Sequence, residues 1–78
     1  MLRIGVDFNT MNQDERARVS INVDVHPYLL DYLKPGLIVV LFEAHDIEVE
    51  ATIEFDEIYH SWYGLPDWST RRVLPDQQ

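Results

Sequence analysis

The sequence predicts a mainly β, single-domain protein over residues 1–78: a small, partly open antiparallel barrel of five to six short strands with one short helical turn. Two observations carry this. Three stretches alternate apolar and polar residues strictly, as a strand with one wet face must. Proline, glycine, asparagine and aspartate punctuate the chain between the apolar runs, where turns belong.

The elements follow in chain order. Leu2, Ile4, Val6 and Phe8 alternate with Arg3, Gly5 and Asp7, giving a first strand. The stretch "NTMNQDERAR" holds an Asn12–Glu15 capping pair but lacks apolar periodicity, so it reads as a solvated loop. Ala17, Val19, Ile21, Val23 and Val25 alternate with Arg18, Ser20, Asn22 and Asp24, a second strand. In "HPYLLDYLKPG", Pro27 suits the first turn of a helix, Leu29, Leu30 and Leu33 point inward, and Pro35-Gly36 ends it. "LIVVLF", residues 37–42, is apolar on both faces and suits a more buried strand. Ile47, Val49, Ala51, Ile53 and Phe55 alternate with Glu48, Glu50, Thr52 and Glu54.

A hairpin joins the last two of these, with His45-Asp46 at its centre because aspartate tolerates turn backbone angles. Apolar matching favours Phe42 opposite Val49, Val40 opposite Ala51 and Ile38 opposite Ile53. The other face of the run, Leu37, Val39 and Leu41, then lies outward beside Glu50, Thr52 and Glu54. Such a row needs a cover, either the first strand, the helical turn or a curled sheet, or a partner. A final hairpin turns at residues 65–68, where Pro66 and Asp67 suit a type I turn, and sets Trp62 against Arg71 and Tyr59 against Leu74. In architecture this ensemble resembles SH3-like and OB-like barrels, a likeness that implies a fold and no function.

Composition narrows the function. Fourteen acids against six bases give a net charge of −8, which argues against nucleic acid and against an anionic membrane, since both reward Lys and Arg. The chain has no cysteine, so disulfides, thiolate nucleophiles and Cys-based zinc sites are excluded, in keeping with a reducing cytoplasm. The start "MLRIGVDFNT" lacks the apolar core of a signal peptide, and "PGLIVVLF" is too short to span a bilayer. No nucleophile elbow or glycine-rich phosphate loop occurs, and His26, His45 and His60 lack ligand spacing. The expectation is therefore no enzyme, no cofactor and no metal.

What remains is contact chemistry. "HSWYGLPDWST" gathers Trp62, Tyr63 and Trp68 beside Asp56, Glu57 and Asp67, residues that either close one end of the core or present aromatics to a ligand. The acids Glu48, Glu50 and Glu54 form either a solvated strand face or a docking strip for a basic partner. The leading expectation is a binding module for a protein partner or for a second copy of itself, with Trp62, Tyr63, Trp68, Val39, Leu41 and Glu50 as contacts. The alternative is a ligand- or nucleic-acid-associated barrel in which Arg16, Arg18, Arg71 and Arg72 gather around a stacking aromatic face.

Overall fold

The computed structural model describes residues 1–10 and 18–74. It is a curled half-barrel of six strands: β1 Arg3–Gly5, β2 Val19–Ser20, β3 Ile38–Phe42, β4 Ile47–Asp56, β5 Ser61–Pro66 and β6 Arg72–Val73. Short 3-10 helices cover Phe8–Thr10, Pro27–Asp31 and Trp68–Thr70. The order across the sheet is β1-β3-β4-β5-β2, with β6 also on β4. The fold class expected from the sequence is present, but β1 runs parallel to β3, so the sheet is mixed. The Asn12–Glu15 pair and Arg16 lie outside the described residues.

The core is built mainly from alternate residues along β1 to β5 and the residues that continue them. Ile4, Val19, Ile21, Val39, Leu41, Val49, Ala51 and Ile53 are buried, joined by Leu29 and Leu33 from the segment before β3. That segment buries only those two leucines, because residues four apart share one face of a turn. Leu30, expected inside, is exposed with Tyr28 and Tyr32.

The β3–β4 register differs from the sequence expectation by one residue. Val39 pairs with Ala51, Leu41 with Val49 and Phe42 with Glu48. The cause is the loop. Glu43 N–H donates to the Ile47 carbonyl and Asp46 N–H to the Glu43 carbonyl, leaving an odd loop, Ala44–His45–Asp46. His45, rather than Asp46, takes the left-handed conformation, at φ 65°. An odd loop shifts pairing by one and turns β3 over. Val39 and Leu41 therefore face the core, and Ile38, Val40 and Phe42 lie on the other face of the sheet, where Ile38 is exposed, Phe42 half-buried and Val40 buried.

Two side-chain turns shorten strands that the alternation extends further. Asn22 Oδ1 accepts from the N–H groups of Asp24 and Val25, at 3.0 and 3.2 Å, so β2 stops short of Val25. Asp56 Oδ1 does the same for Ile58 and Tyr59, at 2.8 and 3.0 Å, and His60 follows at φ 55°. β5 therefore begins only at Ser61.

The final hairpin does not form. β5 pairs with β4 from Asp56↔Ser61 to Ala51↔Pro66, and β6 continues along the same edge with Glu48↔Arg72. Between these pairings β4 advances three residues and its partner six, and the Trp68–Thr70 helix absorbs the excess. Asp67 Oδ1 caps that helix through Ser69 N–H at 3.1 Å and Ser69 Oγ at 2.6 Å. Trp62 consequently faces Phe55, not Arg71, and Tyr59 sits in a turn rather than opposite Leu74. Gly64 is required where β5 crosses the core: a Cβ there would lie 2.8 Å from Leu41 Cδ1.

Candidate interaction surface

The outer face of the sheet is held by two arginine clamps, one from each edge. Arg3 on β1 lies over the Phe42 ring of β3, 5.0 Å from its centroid, and reaches Glu48 of β4 at 2.6 Å. Arg72 on β6 meets the same carboxylate from the other side at 2.7 Å. Arg18, beside β2, lies over the Tyr63 ring of β5 at 4.1 Å and reaches Glu54 and Asp56 of β4 at 3.2 and 2.9 Å. Each edge strand is thus tied across an aromatic to the acids of the central strand.

These clamps change the meaning of the acidic strip. Glu48 and Glu54 are engaged internally, so the row is not an open docking strip. Glu50 is half-buried and makes no ion pair among the described residues; its main chain is held by Thr70 Oγ1 and Asp67 N–H. The Arg3 hydrogen bond, aided by Arg72, holds the Glu48 carboxyl below the ordinary value of 4.5 against the opposing effect of burial. The Tyr59 amide, then Arg18, holds Asp56 below 3.8.

A pH prediction follows with a definite sign. A carboxyl whose folded pKa is depressed stabilises fully above its unfolded value and loses that contribution as pH falls through the folded value. The Tm difference between wild type and Glu48→Gln is therefore constant above pH 4.5 and closes below it. For Asp56→Asn the closure begins below 3.8. Thermal unfolding followed by circular dichroism at stepped pH reads both.

The sequence-predicted contacts are dispersed. Val39 and Leu41 are fully buried and cannot touch a partner, which corrects their reading as an outward strip. Tyr63 lies beneath Arg18. Trp62 is half-buried, edge-on to Phe55 at 4.9 Å and packed on the core. Trp68 keeps 42% of its surface exposed and leans on Phe8 at 6.0 Å. Among the described residues the arginines have other places: Arg18 and Arg72 serve the clamps, and Arg71 follows the Trp68–Thr70 helix at its C-terminal cap.

A different surface emerges at one end of the half-barrel. Gly36 N–H donates to the Ile53 carbonyl and Ile53 N–H to the Leu37 carbonyl, so the Pro27–Asp31 segment and the β4–β5 turn lie at the same end. A cleft lined by Val23 and Asp24 with His60, Ser61 and Trp62 sets the post-β2 turn beside that β4–β5 turn. This end exposes Val25, Tyr28, Leu30, Tyr32 and Tyr59, and Ile58 at 89%. Asp24, Asp31 and Glu57 stand exposed among them. Sequence reasoning singled out Tyr59 and Glu57 but missed Val25, Tyr28, Leu30, Tyr32 and Ile58, although the limit of two inward positions in so short a turn was a usable signal for Tyr28, Leu30 and Tyr32.

Among the described residues no helix is long and apolar enough to cross a membrane, and no group of three or more His, Cys, Asp and Glu is placed to hold a metal. No family model, curated protein or solved structure matches this chain.

Proposed function

We propose that this protein is a non-enzymatic interaction module that presents the Tyr28–Tyr32 segment and the Ile58–Tyr59 turn to a basic protein partner. The observation that carries the reading is that most of the large apolar side chains left in water, Val25, Tyr28, Leu30, Tyr32, Ile58 and Tyr59, lie at one end of the domain. Such exposure is a common mark of a protein contact site, and tyrosine is enriched in such sites. The sign of the partner comes from charge. Three of the six bases are consumed by the clamps, so the acid excess falls on the rest of the surface, including Asp24, Asp31 and Glu57. A cytoplasmic setting belongs to this reading, on the strength of the cysteine-free composition.

The test compares wild type with Tyr28→Ser/Ile58→Ser, two exposed positions whose loss leaves Tm within a few degrees. Affinity capture from the native host, followed by binding of the purified partner at increasing salt, is expected to show at least about tenfold weaker binding by the variant. The wild-type complex weakens with salt. Undiminished binding of every captured partner by the variant removes the proposal. Loss of a wild-type dimer in the ultracentrifuge, with no other partner lost, assigns the surface to self-association instead.

A further inference from the structure

We infer that the cleft between the post-β2 turn and the β4–β5 turn is a pocket for an arginine side chain of the basic partner. This deepens the reading of the exposed end and rests on it, by naming the partner residue that docks and the place that takes it.

The protein's own clamps supply the template. Arg3 lies on Phe42 and reaches Glu48, and Arg18 lies on Tyr63 and reaches Glu54 and Asp56. Each guanidinium thus combines an aromatic face with a carboxylate. The cleft offers the same two parts. Trp62 and His60 line it with Asp24, and Asn22 and Ser61 add polar side chains. The aromatic wall is held in place, because Phe55 meets the His60 ring at 5.3 Å and the Trp62 ring at 4.9 Å, both edge-on. What the cleft lacks is the arginine. Among the described residues no cation lies over Trp62 and Asp24 makes no ion pair, although tryptophan is the best ring for a cation. Lys34, the base within residues 27–36, is not among the residues that line the cleft.

Size and main-chain bonding limit what can enter. The cleft holds about 370 Å³, a cube about 7 Å on a side, which is narrower than a helix with its side chains at about 10–12 Å. A strand finds no row of free amides there: Asp24 and Val25 donate to Asn22, Ile58 and Tyr59 to Asp56, and Ile21 to Trp62. A single long side chain remains. Asp24 and the exposed Glu57 of the neighbouring turn select a cation. A planar guanidinium suits the cleft better than an ammonium, because it stacks on a ring while donating to a carboxylate. The cleft lies at the far end of the sheet from Phe8 and Leu74, which bond to Glu43 and Asp46 of the β3–β4 loop. Trp62 and Asp24 also stand beyond the point where the chain enters β2 at Val19.

The probe is the capped tripeptide acetyl-Gly-Arg-Gly-amide, whose one charge is the guanidinium, titrated into the intact protein and followed by NMR. Trp68→Phe leaves Trp62 as the one indole, so its Nε1–H signal is read alone; the His60 and Ser61 amides serve in the wild type. Saturable shifts at these groups, with a millimolar Kd, are expected. The citrulline tripeptide keeps the shape without the charge and is expected to bind at least about fivefold more weakly. Asp24→Asn spares the main-chain bond that Asp24 makes to Asn22 and is expected to weaken binding about threefold. The lysine tripeptide is expected to bind more weakly than the arginine one. The probe contains no partner and leaves Tyr28 and Ile58 untouched, so this inference can fail while the exposed end still binds its partner. Absence of any shift at tens of millimolar probe, or equal binding of the citrulline or lysine peptide, would overturn it. So would undiminished binding by Asp24→Asn. Binding of free L-arginine about tenfold tighter than the tripeptide would overturn it too, by assigning the cleft to the free amino acid.

Discussion

Leu41→Ala lowers stability by about 3–4 kcal/mol, while Ile38→Ala, on the same strand, costs less than about 1 kcal/mol. Leu41 is 0% exposed and Ile38 is 44% exposed, and they stand on opposite faces of β3. A domain of 78 residues has roughly 4–12 kcal/mol of stability at ordinary values per residue, so the first change removes a large share of it. Urea unfolding followed by the fluorescence of Trp62 and Trp68 separates the two variants directly. The reverse ranking would restore the register in which β3 turns Leu41 to the outside. A second substitution sharpens the test. Gly64→Ala in the wild type places a Cβ 2.8 Å from Leu41 Cδ1 inside a packed core, which costs about 1–2 kcal/mol of strain. In the Leu41→Ala background the same Cβ enters vacated space and gains. The double-mutant cycle should therefore show coupling of about 1 kcal/mol or more.

That contrast also locates where sequence reasoning holds and where it stops. β4 was legible because it alternates: Val49, Ala51 and Ile53 point inward as the period of two requires, and all three are buried. β3 was not, because "LIVVLF" is apolar at every position and carries no record of which face is inner. Its facing is decided by the loop, and whether His45 or Asp46 adopts a left-handed angle is a one-residue matter that composition leaves open. The same holds for strand ends. Asn22 and Asp56 bend the chain by accepting two amides each, which overrides an alternation that continues on paper to Val25 and starts early at Ile58. For the surface, the misplacement followed from the register: once β3 is turned over, Val39 and Leu41 leave the surface and the clamps become visible. Arg3 and Glu48 are 45 residues apart in sequence, a pairing that only the folded sheet brings together.

Arg18→Met is expected to cost about 2–4 kcal/mol, the largest effect of any single change at a polar residue here. Arg18 is only 4% exposed, and its guanidinium lies between the Tyr63 ring and the carboxylates of Glu54 and Asp56. Methionine keeps much of the aliphatic bulk, so packing accounts for little of the loss. The cost comes from two neighbouring carboxylates deprived of their cation, in a place where water reaches them only partly. If that account holds, neutralising the carboxylates in the same background restores stability. Arg18→Met/Glu54→Gln/Asp56→Asn should recover at least about half of the loss, since asparagine retains the Oδ1 acceptor that the Ile58 and Tyr59 amides need. Failure to recover would mean that Arg18 acts mainly through its bulk and its contact with Tyr63. The variant should act locally as well as globally. β2 is a two-residue edge strand whose neighbour Arg18 anchors it over β5 to β4, so losing the clamp frees β2 before it frees the core. Exchange of the Val19 amide, which bonds into β5, should therefore accelerate more than exchange at Val49 or Ile53. Equal acceleration at all three would show that β2 opens only with the whole domain.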